Sequence, residues 1–317
     1  MPFTNFPYGS TSFGIPSLGG GIPISVPSGQ RTSAIPAGTV WWVDANNTGG
    51  PHTGASPGEA FQTIMAALAV AQSGDTIYVF PGSYNENVVV STDYITIIGA
   101  QYAGYAKPDI GNSTGVALTV NAQGFRAIHC RFFSNDNSDV VRQQGNGFYY
   151  SDCFFDGNGT QTTSGCVRLI PSNVLTGQTA SEGIIEGCYF RGSTSTIGAI
   201  IFDTSNLNGG STDDIIRNNV FTQNTGPDIA AQKSGAAGTY SLQFAVIHQN
   251  IFEDKNKAVY IDFLTNADGA AANQKGVISG NWFNSATLTN VLVKINGTGF
   301  GAPGNYYQVG IKDTSAF

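Results

Sequence analysis

Charged residues are scarce in this sequence. Only 11% of the 317 residues are Asp, Glu, Lys or Arg, the net charge is −7, and no run of Lys and Arg is present. Proteins that bind a phosphate backbone need clustered cations, so we expect no nucleic-acid partner. A surface solvated instead by Ser, Thr, Asn and Gly is typical of secreted, virion or carbohydrate-binding β-proteins.

Long apolar runs are also missing. No stretch approaches the ~18 apolar residues that a membrane-spanning helix needs, so no membrane partner is expected. The N-terminus does not show a charged segment followed by an apolar core, the pattern of a secretory signal. This absence weakens the hypothesis of a freely exported enzyme.

What the sequence does contain is a repeat. Residues 276–283, GVISGNWF, end in Asn-Trp-Phe. The pattern of Cys or Asn, then any residue, then Phe recurs five times upstream. Its Cys or Asn positions are spaced by 23, 35, 31, 31 and 31 residues, and they are Cys130, Cys153, Cys188, Asn219, Asn250 and Asn281. A fixed period of this length predicts a solenoid.

The residue types indicate which solenoid. Short β-branched and aromatic runs separated by Gly, Asn, Ser and Thr predict strands and turns. One unit cannot bury its own apolar face, so the Phe side chains of successive coils should stack at the spacing of parallel strands, about 4.8 Å. The predicted column is Phe132, Phe155, Phe190, Phe221, Phe252 and Phe283. The sequence therefore predicts an all-β fold, a parallel β-helix with a Cys and Asn column at one corner.

Cysteine is rare, with four in the chain: Cys130, Cys153, Cys166 and Cys188. Neighbouring coils could supply the Cα separation of roughly 4.4–6.8 Å that a disulfide needs. Buried free thiols acting as small apolar residues are the interpretation we favour. There is no C-x-x-C and no His near a Cys pair except one beside Cys130, so no metal site and no cofactor are predicted.

The segment before the repeats contains the clearest helix pattern. Ser56 and Pro57 supply a cap and a first-turn proline, an apolar face follows, and Gly74 ends the pattern, which predicts a helix over residues 57–72. The strand and turn after it resemble the entry coil of right-handed, pectate-lyase-like parallel β-helix proteins, with matches at Asp75, Thr76, Ile77, Pro81, Gly82, Tyr84 and Glu86. The resemblance implies right-handed winding and a capping helix over the open end of the core.

Residues 1–38 have neither helical nor strand periodicity but carry spaced apolar side chains, which a disordered linker would not need. We predict an extended attachment arm whose contact residues are Phe3, Phe6, Tyr8, Phe13, Ile15 and Ile22. The alternative is a tail that covers this protein's own helix end. Beyond it we predict the entry coil at 39–99, coils at 100–283, and a last partial coil with a C-terminal cap at 284–317.

The arm also carries a family resemblance. TNFPYGSTSFGIPSLGG resembles the start of small bacteriophage structural proteins encoded near the major capsid protein, with matches at Thr4, Asn5, Phe6, Pro7, Gly9, Ser12, Phe13, Gly14, Ile15 and Pro16. The resemblance implies a virion location, with the major capsid protein or another virion protein as partner.

Candidate catalytic residues come from the repeat alignment. Glycoside hydrolysis needs two carboxylates about 5 Å apart for retention or about 6.5–9.5 Å for inversion, and Glu182 and Asp213 lie six residues before their anchors in adjacent coils. A weaker column, two residues before the anchors, contains Glu186, Arg217 and His248. It fits an acid, a cation and a base, and equally a surface salt-bridge ladder.

The motifs of the β-helix lyases and hydrolases are missing, since no Asp-rich calcium site accompanies an Arg and no G-H-G is present. We therefore expect no catalytic residues and favour a bacteriophage capsid decoration or cement protein, attached by its arm, with a projecting β-helix and a surface polysaccharide as a further partner. The alternative is a tailspike or tail-fibre depolymerase, and a free polysaccharide lyase or hydrolase is third. A homotrimer is expected by analogy with virion β-helices.

Overall fold

The computed structural model describes residues 17–18, 22–23, 38–100, 107–157, 159, 161–170, 180–203, 213–232, 244–254, 257–263, 276–285, 293–294, 300–301, 304–307 and 312–313. Three long sheets, here called sheets A, B and C, run along the molecule. Each complete coil adds one strand to A, then to B, then to C, and each strand pairs in parallel with its equivalent in the next coil. The predicted right-handed parallel β-helix is confirmed.

Sheet A has ten strands. They are Val40–Val43, Thr76–Val79, Thr96–Gly99, Arg126–Ile128, Tyr149–Ser151, Ile184–Glu186, Ile215–Arg217, Ala245–His248, Gly276–Ser279 and Phe300–Gly301.

Sheet B also has ten strands, of which the last is antiparallel. They are Ser83–Asn85, Asp109–Asn112, Arg131–Ser134, Phe154–Asp156, Tyr189–Arg191, Val220–Thr222, Ile251–Phe252, Trp282–Phe283, Asn305–Tyr307 and Lys312–Asp313.

Sheet C has eight strands: Val88–Val90, Leu118–Val120, Val141–Gln143, Val167–Leu169, Ile200–Asp203, Ile229–Gln232, Ile261–Asp262 and Val293–Lys294. A separate antiparallel pair joins Ser17–Leu18 to Ile22–Pro23.

The predicted Phe column lies on the inner face of sheet B. All six rings are fully buried, and their strands pair so that each Phe faces the next. Ring centroids are 5.7 Å apart for the first pair and 4.8, 4.8, 5.0 and 4.8 Å apart for the others. The column prediction is confirmed, because parallel strands in register place equivalent side chains directly above one another.

A ladder of Asn side chains forms the corner between sheets A and B. Asn250 Oδ1 accepts hydrogen bonds from both the backbone N–H and the Nδ2 of Asn219 at 3.0 Å, while Asn250 Nδ2 donates to the Ile216 carbonyl at 3.0 Å. The same pattern links Asn250 to Asn281, and Asn281 to Asn305 at 3.1 Å. The repeat's ending therefore continues past residue 284 as Asn-Tyr-Tyr, a variant that the Phe-based alignment does not detect.

The Cys residues of this column are free thiols, as favoured. All four cysteines are buried and unpaired with one another, and Cys153 Sγ lies 3.4 Å from the Ala127 carbonyl oxygen. Cys188 donates its backbone N–H to Asn219 Oδ1 at 2.8 Å, so the ladder begins where the thiols end.

The capping helix is shorter than predicted. Only Ile64–Leu68 is α-helical, preceded by a 3-10 turn at Pro57–Glu59, and Ser56 makes no side-chain cap. The prediction of a continuous helix over 57–72 is wrong because Phe61 is extended and bridges the first strand of sheet A. Its N–H donates to the Trp42 carbonyl at 2.8 Å, and its carbonyl accepts from Asp44 at 2.8 Å.

The short helix is nevertheless fixed over the first coil. The Glu86 carboxylate accepts the N–H groups of Ile64 and Met65 at 2.9 and 3.0 Å, and Thr63 Oγ1 accepts that of Ala66 at 3.2 Å. Ile64 is fully buried in the core. Glu86, one of the entry-coil matches, therefore satisfies N–H groups that the first turn of a helix leaves without partners.

Candidate functional site

From Phe154 onward, the outer face of sheet B presents one apolar side chain per coil. Residues alternate between the two faces of a strand, so the residue before each column Phe points outward. Five of these, together with Tyr306, which precedes Tyr307 in the next coil, pair in register on consecutive coils and are here called the outer stripe: Phe154, Tyr189, Val220, Ile251, Trp282 and Tyr306. At about 4.8 Å per coil the stripe is about 24 Å long.

Exposure rises towards the C-terminal end of the stripe. The first three side chains are half-buried, whereas Ile251, Trp282 and Tyr306 are 40%, 37% and 45% exposed. Three adjacent large apolar side chains in solvent form a patch, and such a patch on a soluble protein marks a binding surface more often than isolated exposed residues do.

Two arginines contact the aromatic ring at the other end of the stripe. The Phe154 and Tyr189 rings stack with centroids 5.1 Å apart and an interplanar angle of 17°. The guanidinium groups of Arg131 and Arg191 lie 5.7 and 5.2 Å from the centre of the Phe154 ring. These cation–π contacts and the stacking on Tyr189 hold the Phe154 ring in a fixed position.

The same arginines share one carboxylate. Asp156 Oδ2 lies 2.9 Å from an amino nitrogen of both Arg131 and Arg191, and its side chain is only 4% exposed. Arg131 also pairs with Asp109 at 3.1 Å. Positive charge at this end of the stripe is therefore balanced by buried or half-exposed carboxylates.

A polar column runs beside the stripe, formed by Thr222, Glu253 and Asn284. The Glu253 N–H donates to the Phe221 carbonyl at 2.8 Å, and Asn284 donates through Nδ2 to the Glu253 carbonyl at 2.7 Å. The Glu253 side chain is exposed. Hydroxyl, carboxylate and amide groups thus flank the exposed apolar side chains along one edge.

Glu182 and Asp213 occupy equivalent corners at the start of sheet A. Both are exposed and have left-handed backbone conformations, with φ of 57° and 60°. Their strands pair in register, Ile184 opposite Ile215, so the two corners are adjacent as predicted. Whether the carboxylates act together as an acid and a base stays a prediction.

Glu186, Arg217 and His248 form a column on the outer face of sheet A, through the register of their strands. Arg217 Nε donates to Glu186 Oε2 at 2.6 Å, and the Tyr149 hydroxyl donates to Glu186 Oε1. Burial and the charge of Arg217 lower the pKa of His248. Since both Glu186 oxygens are already bonded, this arrangement resembles the salt-bridge alternative more than a free acid, and its catalytic role stays a prediction.

Most of the predicted attachment arm lies outside the described residues. Phe3, Phe6, Tyr8, Phe13 and Ile15 lie outside the described residues, and of Ile22 only the backbone pairing with Leu18 is described. The arm and its virion partner therefore stay predictions. No described helix is long and apolar enough to cross a membrane.

An ionic network on sheet C was not predicted. Arg168 Nε lies 3.0 Å from Asp139, and its amino nitrogen lies 3.0 Å from Asp203 and 2.6 Å from Gln232. Arg142, which also bonds Asp139 at 2.8 Å, lies opposite Arg168 on the neighbouring strand. This strand register of sheet C is not fixed by an alignment anchored at the corner between sheets A and B. Within the described parts of the chain, no three His, Cys, Asp or Glu side chains are grouped to hold a metal ion.

Comparison with known proteins identifies no family. No family model and no curated protein matches the sequence. Among solved structures, a pectin methylesterase from carrot has a TM-score of 0.46 at 16% identity over 83% of this chain and 87% of its own. An alginate lyase from Paenibacillus sp. has 0.39 at 15% over 77% and 91%, and the Dettilon tailspike protein 0.39 at 13% over 85% and 61%. Likenesses this weak carry no information on function.

The outer stripe had a signal in the sequence. It is the middle position of the repeat's ending, the variable residue between the Cys or Asn and the Phe. From Phe154 onward that position is aromatic or β-branched in every coil. The alignment treated it as variable because its chemistry changes, although its apolar character does not.

Proposed function

We propose that this chain binds an extended polysaccharide along the outer stripe of sheet B, as a component of a bacteriophage particle. The observation that carries the proposal is the exposed run of Ile251, Trp282 and Tyr306 on adjacent coils, with Glu253 and Asn284 beside it. A sugar ring has an apolar face, which packs on aromatic rings. It also has hydroxyl groups at its edge, which form hydrogen bonds with polar side chains. The stripe and the polar column offer the two matching kinds of surface.

The regular spacing supports a polymer as the ligand. Each coil repeats the same presentation about 4.8 Å further along the axis, so one chain lying lengthwise meets a series of equivalent contacts. Individual contacts can then be weak while the sum gives useful avidity, as for linked binding sites. A compact small molecule would use only one or two of these positions.

The test is binding after loss of the central aromatic side chain. Trp282→Ala removes the ring between Ile251 and Tyr306, and we expect it to weaken binding by about tenfold or more. The dissociation constant is measured by affinity electrophoresis in gels that each contain one purified polysaccharide. Tyr94→Ala, which removes an exposed ring (52%) at a corner far from sheet B, is the matched control and should bind normally.

Two outcomes would count against glycan binding by the outer stripe. In the first, no polysaccharide slows the migration of the wild-type protein, although neutral and acidic glucans, mannans, galactans and uronans are all tested. The other is retardation that Trp282→Ala leaves unchanged, which would move the binding surface away from the stripe. Thermal unfolding of each variant separates loss of binding from loss of folding.

The position of the protein in the particle is a separate part of the proposal. It is supported by the resemblance of the N-terminal arm to phage structural proteins. Both a capsid decoration protein and a tailspike or tail-fibre protein can expose a glycan-binding face, and the tailspike role uses that face more directly. Copy number in purified particles distinguishes them: a ratio comparable with the major capsid protein indicates decoration, and a handful of copies indicates the tail. Absence from particles would overturn both.

Analogy with virion β-helix proteins supports a homotrimer as the assembly. Light scattering on the full chain measures this directly, and a monomeric mass would remove the trimer from the proposal without affecting the glycan-binding face.

A further inference from the structure

We infer that the outer stripe selects uncharged polysaccharides, and that Glu253 is the residue that sets this selectivity. The inference rests on the proposed function, since it concerns the same surface. It adds the chemical class of the ligand and a residue that discriminates between classes.

The first step concerns the cations of sheet B. Binding an acidic polysaccharide needs cations that are free to pair with its carboxylate, sulfate or phosphate groups. Arg131 is paired with Asp109 at 3.1 Å and with Asp156 at 2.9 Å, and Arg191 is paired with Asp156 at 2.9 Å. An acidic ligand would have to displace these carboxylates, and the Asp156 side chain is almost completely buried.

The second step concerns the exposed end, where the apolar contacts are. The charged side chain that the structure describes there is Glu253, whose N–H donates one hydrogen bond to the Phe221 carbonyl and so keeps the backbone extended and in register. Two residues along a strand span about 6.6 Å, so Glu253 lies within one sugar ring of Ile251 on the same face. Its carboxylate offers two oxygens to sugar hydroxyl groups and repels any anion placed there.

The proximity of Glu253 also bears on Tyr189 in the stripe. Burial is the main cause of its raised pKa, and the negative charge of Glu253 is the next cause. The electrostatic influence of Glu253 therefore reaches across the face to the stripe two coils away.

Among the side chains that the structure describes on this face, two guanidinium groups stand against three carboxylates, those of Asp109, Asp156 and Glu253. Lys312, whose backbone pairs with Tyr306 in the last strand of sheet B, adds one cation, so the face as a whole carries no excess of positive charge. The complete chain carries a net charge of −7, which disfavours approach of a polyanion at low salt. A neutral hexose polymer meets none of these penalties.

The experiment compares polymers that share a backbone and differ in charge. Suitable pairs are hydroxyethyl- and carboxymethyl-cellulose, dextran and carboxymethyl-dextran, and methyl-esterified and free polygalacturonate. For any backbone that binds, we expect the neutral member to bind at least about tenfold more tightly than the acidic one at low salt. Raising the NaCl concentration should reduce this difference in affinity because exposed charges are screened.

Substitution at position 253 then tests the residue. Glu253→Gln keeps the size and hydrogen-bonding capacity of the side chain but removes its charge. The ratio of the affinity for the neutral polymer to that for the acidic polymer should therefore fall by about tenfold, mainly because the acidic polymer binds better. Glu59→Gln, the same change at the opposite end of the molecule, should leave the ratio as it is. An unchanged ratio in Glu253→Gln overturns the assignment of Glu253.

The outcomes separate the two proposals. Acidic members that bind as tightly as neutral ones, with binding lost in Trp282→Ala, would overturn the selectivity and leave the glycan-binding face intact. Failure of both members of every pair to bind would overturn the proposed function itself.

Discussion

The residue scale is where packing is tested most directly. Phe221 is fully buried between Phe190 and Phe252, with ring centroids 4.8 and 5.0 Å away. Both neighbours belong to other coils, and they are held by their own backbone pairing. A cavity at this position can therefore collapse only partly.

We expect Phe221→Ala to lower the free energy of unfolding by about 3–5 kcal/mol, as for other buried aromatic truncations, measured by urea denaturation. Glu182→Gln, at an exposed corner, should leave the unfolding curve unchanged. A neutral Phe221→Ala would contradict the stacked column as a source of stability.

A buried carboxylate sets a pH dependence. Asp228 has no exposed surface, and burial raises its pKa to about 6, partly offset by Lys257 at 2.7 Å and by Asn224 at 3.0 Å. The folded state then binds this proton more tightly than the unfolded state, whose pKa is about 3.9. Its contribution to stability is complete below pH ~4 and is lost as the pH rises through about 6.

We therefore expect the free energy of unfolding of the wild-type protein to fall, relative to Asp228→Asn, by at most about 3 kcal/mol between pH 4 and pH 7.5. Parallel urea titrations of the two proteins measure it. Curves that keep a constant separation over this range would show that Asp228 does not titrate there.

At the scale of elements, the Asn ladder joins coils that the Phe column only packs. Each Asn side chain bonds an N–H and a carbonyl of the preceding coil and the Asn side chain of the next coil, so the corner between sheets A and B is fixed by polar groups without access to water. Buried donors that lose their acceptors are costly. The Cys corners lack this bonding and contribute mainly volume.

Asn250→Ala should remove the acceptor for two N–H groups of Asn219 and the donor for the Ile216 carbonyl, destabilising the fold by roughly 2–4 kcal/mol. Cys153→Ala, at the equivalent position, should cost about 1 kcal/mol. Hydrogen exchange of the Asn219 amide reports the local effect. Equal costs for the two variants would mean that the ladder adds nothing beyond volume.

The element scale also shows where prediction from sequence failed. The pattern around residues 57–72 has a helical apolar face, but Phe61 takes an extended conformation because Trp42 and Asp44 supply backbone partners from a distant strand. Local propensity cannot anticipate a bridge to another element. Glu86, by contrast, was recognised as part of the entry-coil pattern, although its bonds to the helix emerged only from the structure.

At the scale of the whole molecule, the repeat determined the fold. The recurring ending, with three successive periods of 31 residues, predicts the parallel stacking, the inner Phe column and the corner column, because equivalent positions of successive coils lie above one another. What the tertiary structure alone decided is how exposed the outward residues are and which charged side chains meet. The balance of Arg131 and Arg191 by Asp156 joins residues 25 and 35 positions apart, and the network around Arg168 depends on the register of sheet C. Asp156 and Arg191 share a column of the repeat, three residues after Cys153 and Cys188. The partners of Arg168 lie outside the repeated ending, so their meeting is fixed by strand pairing and not by the period.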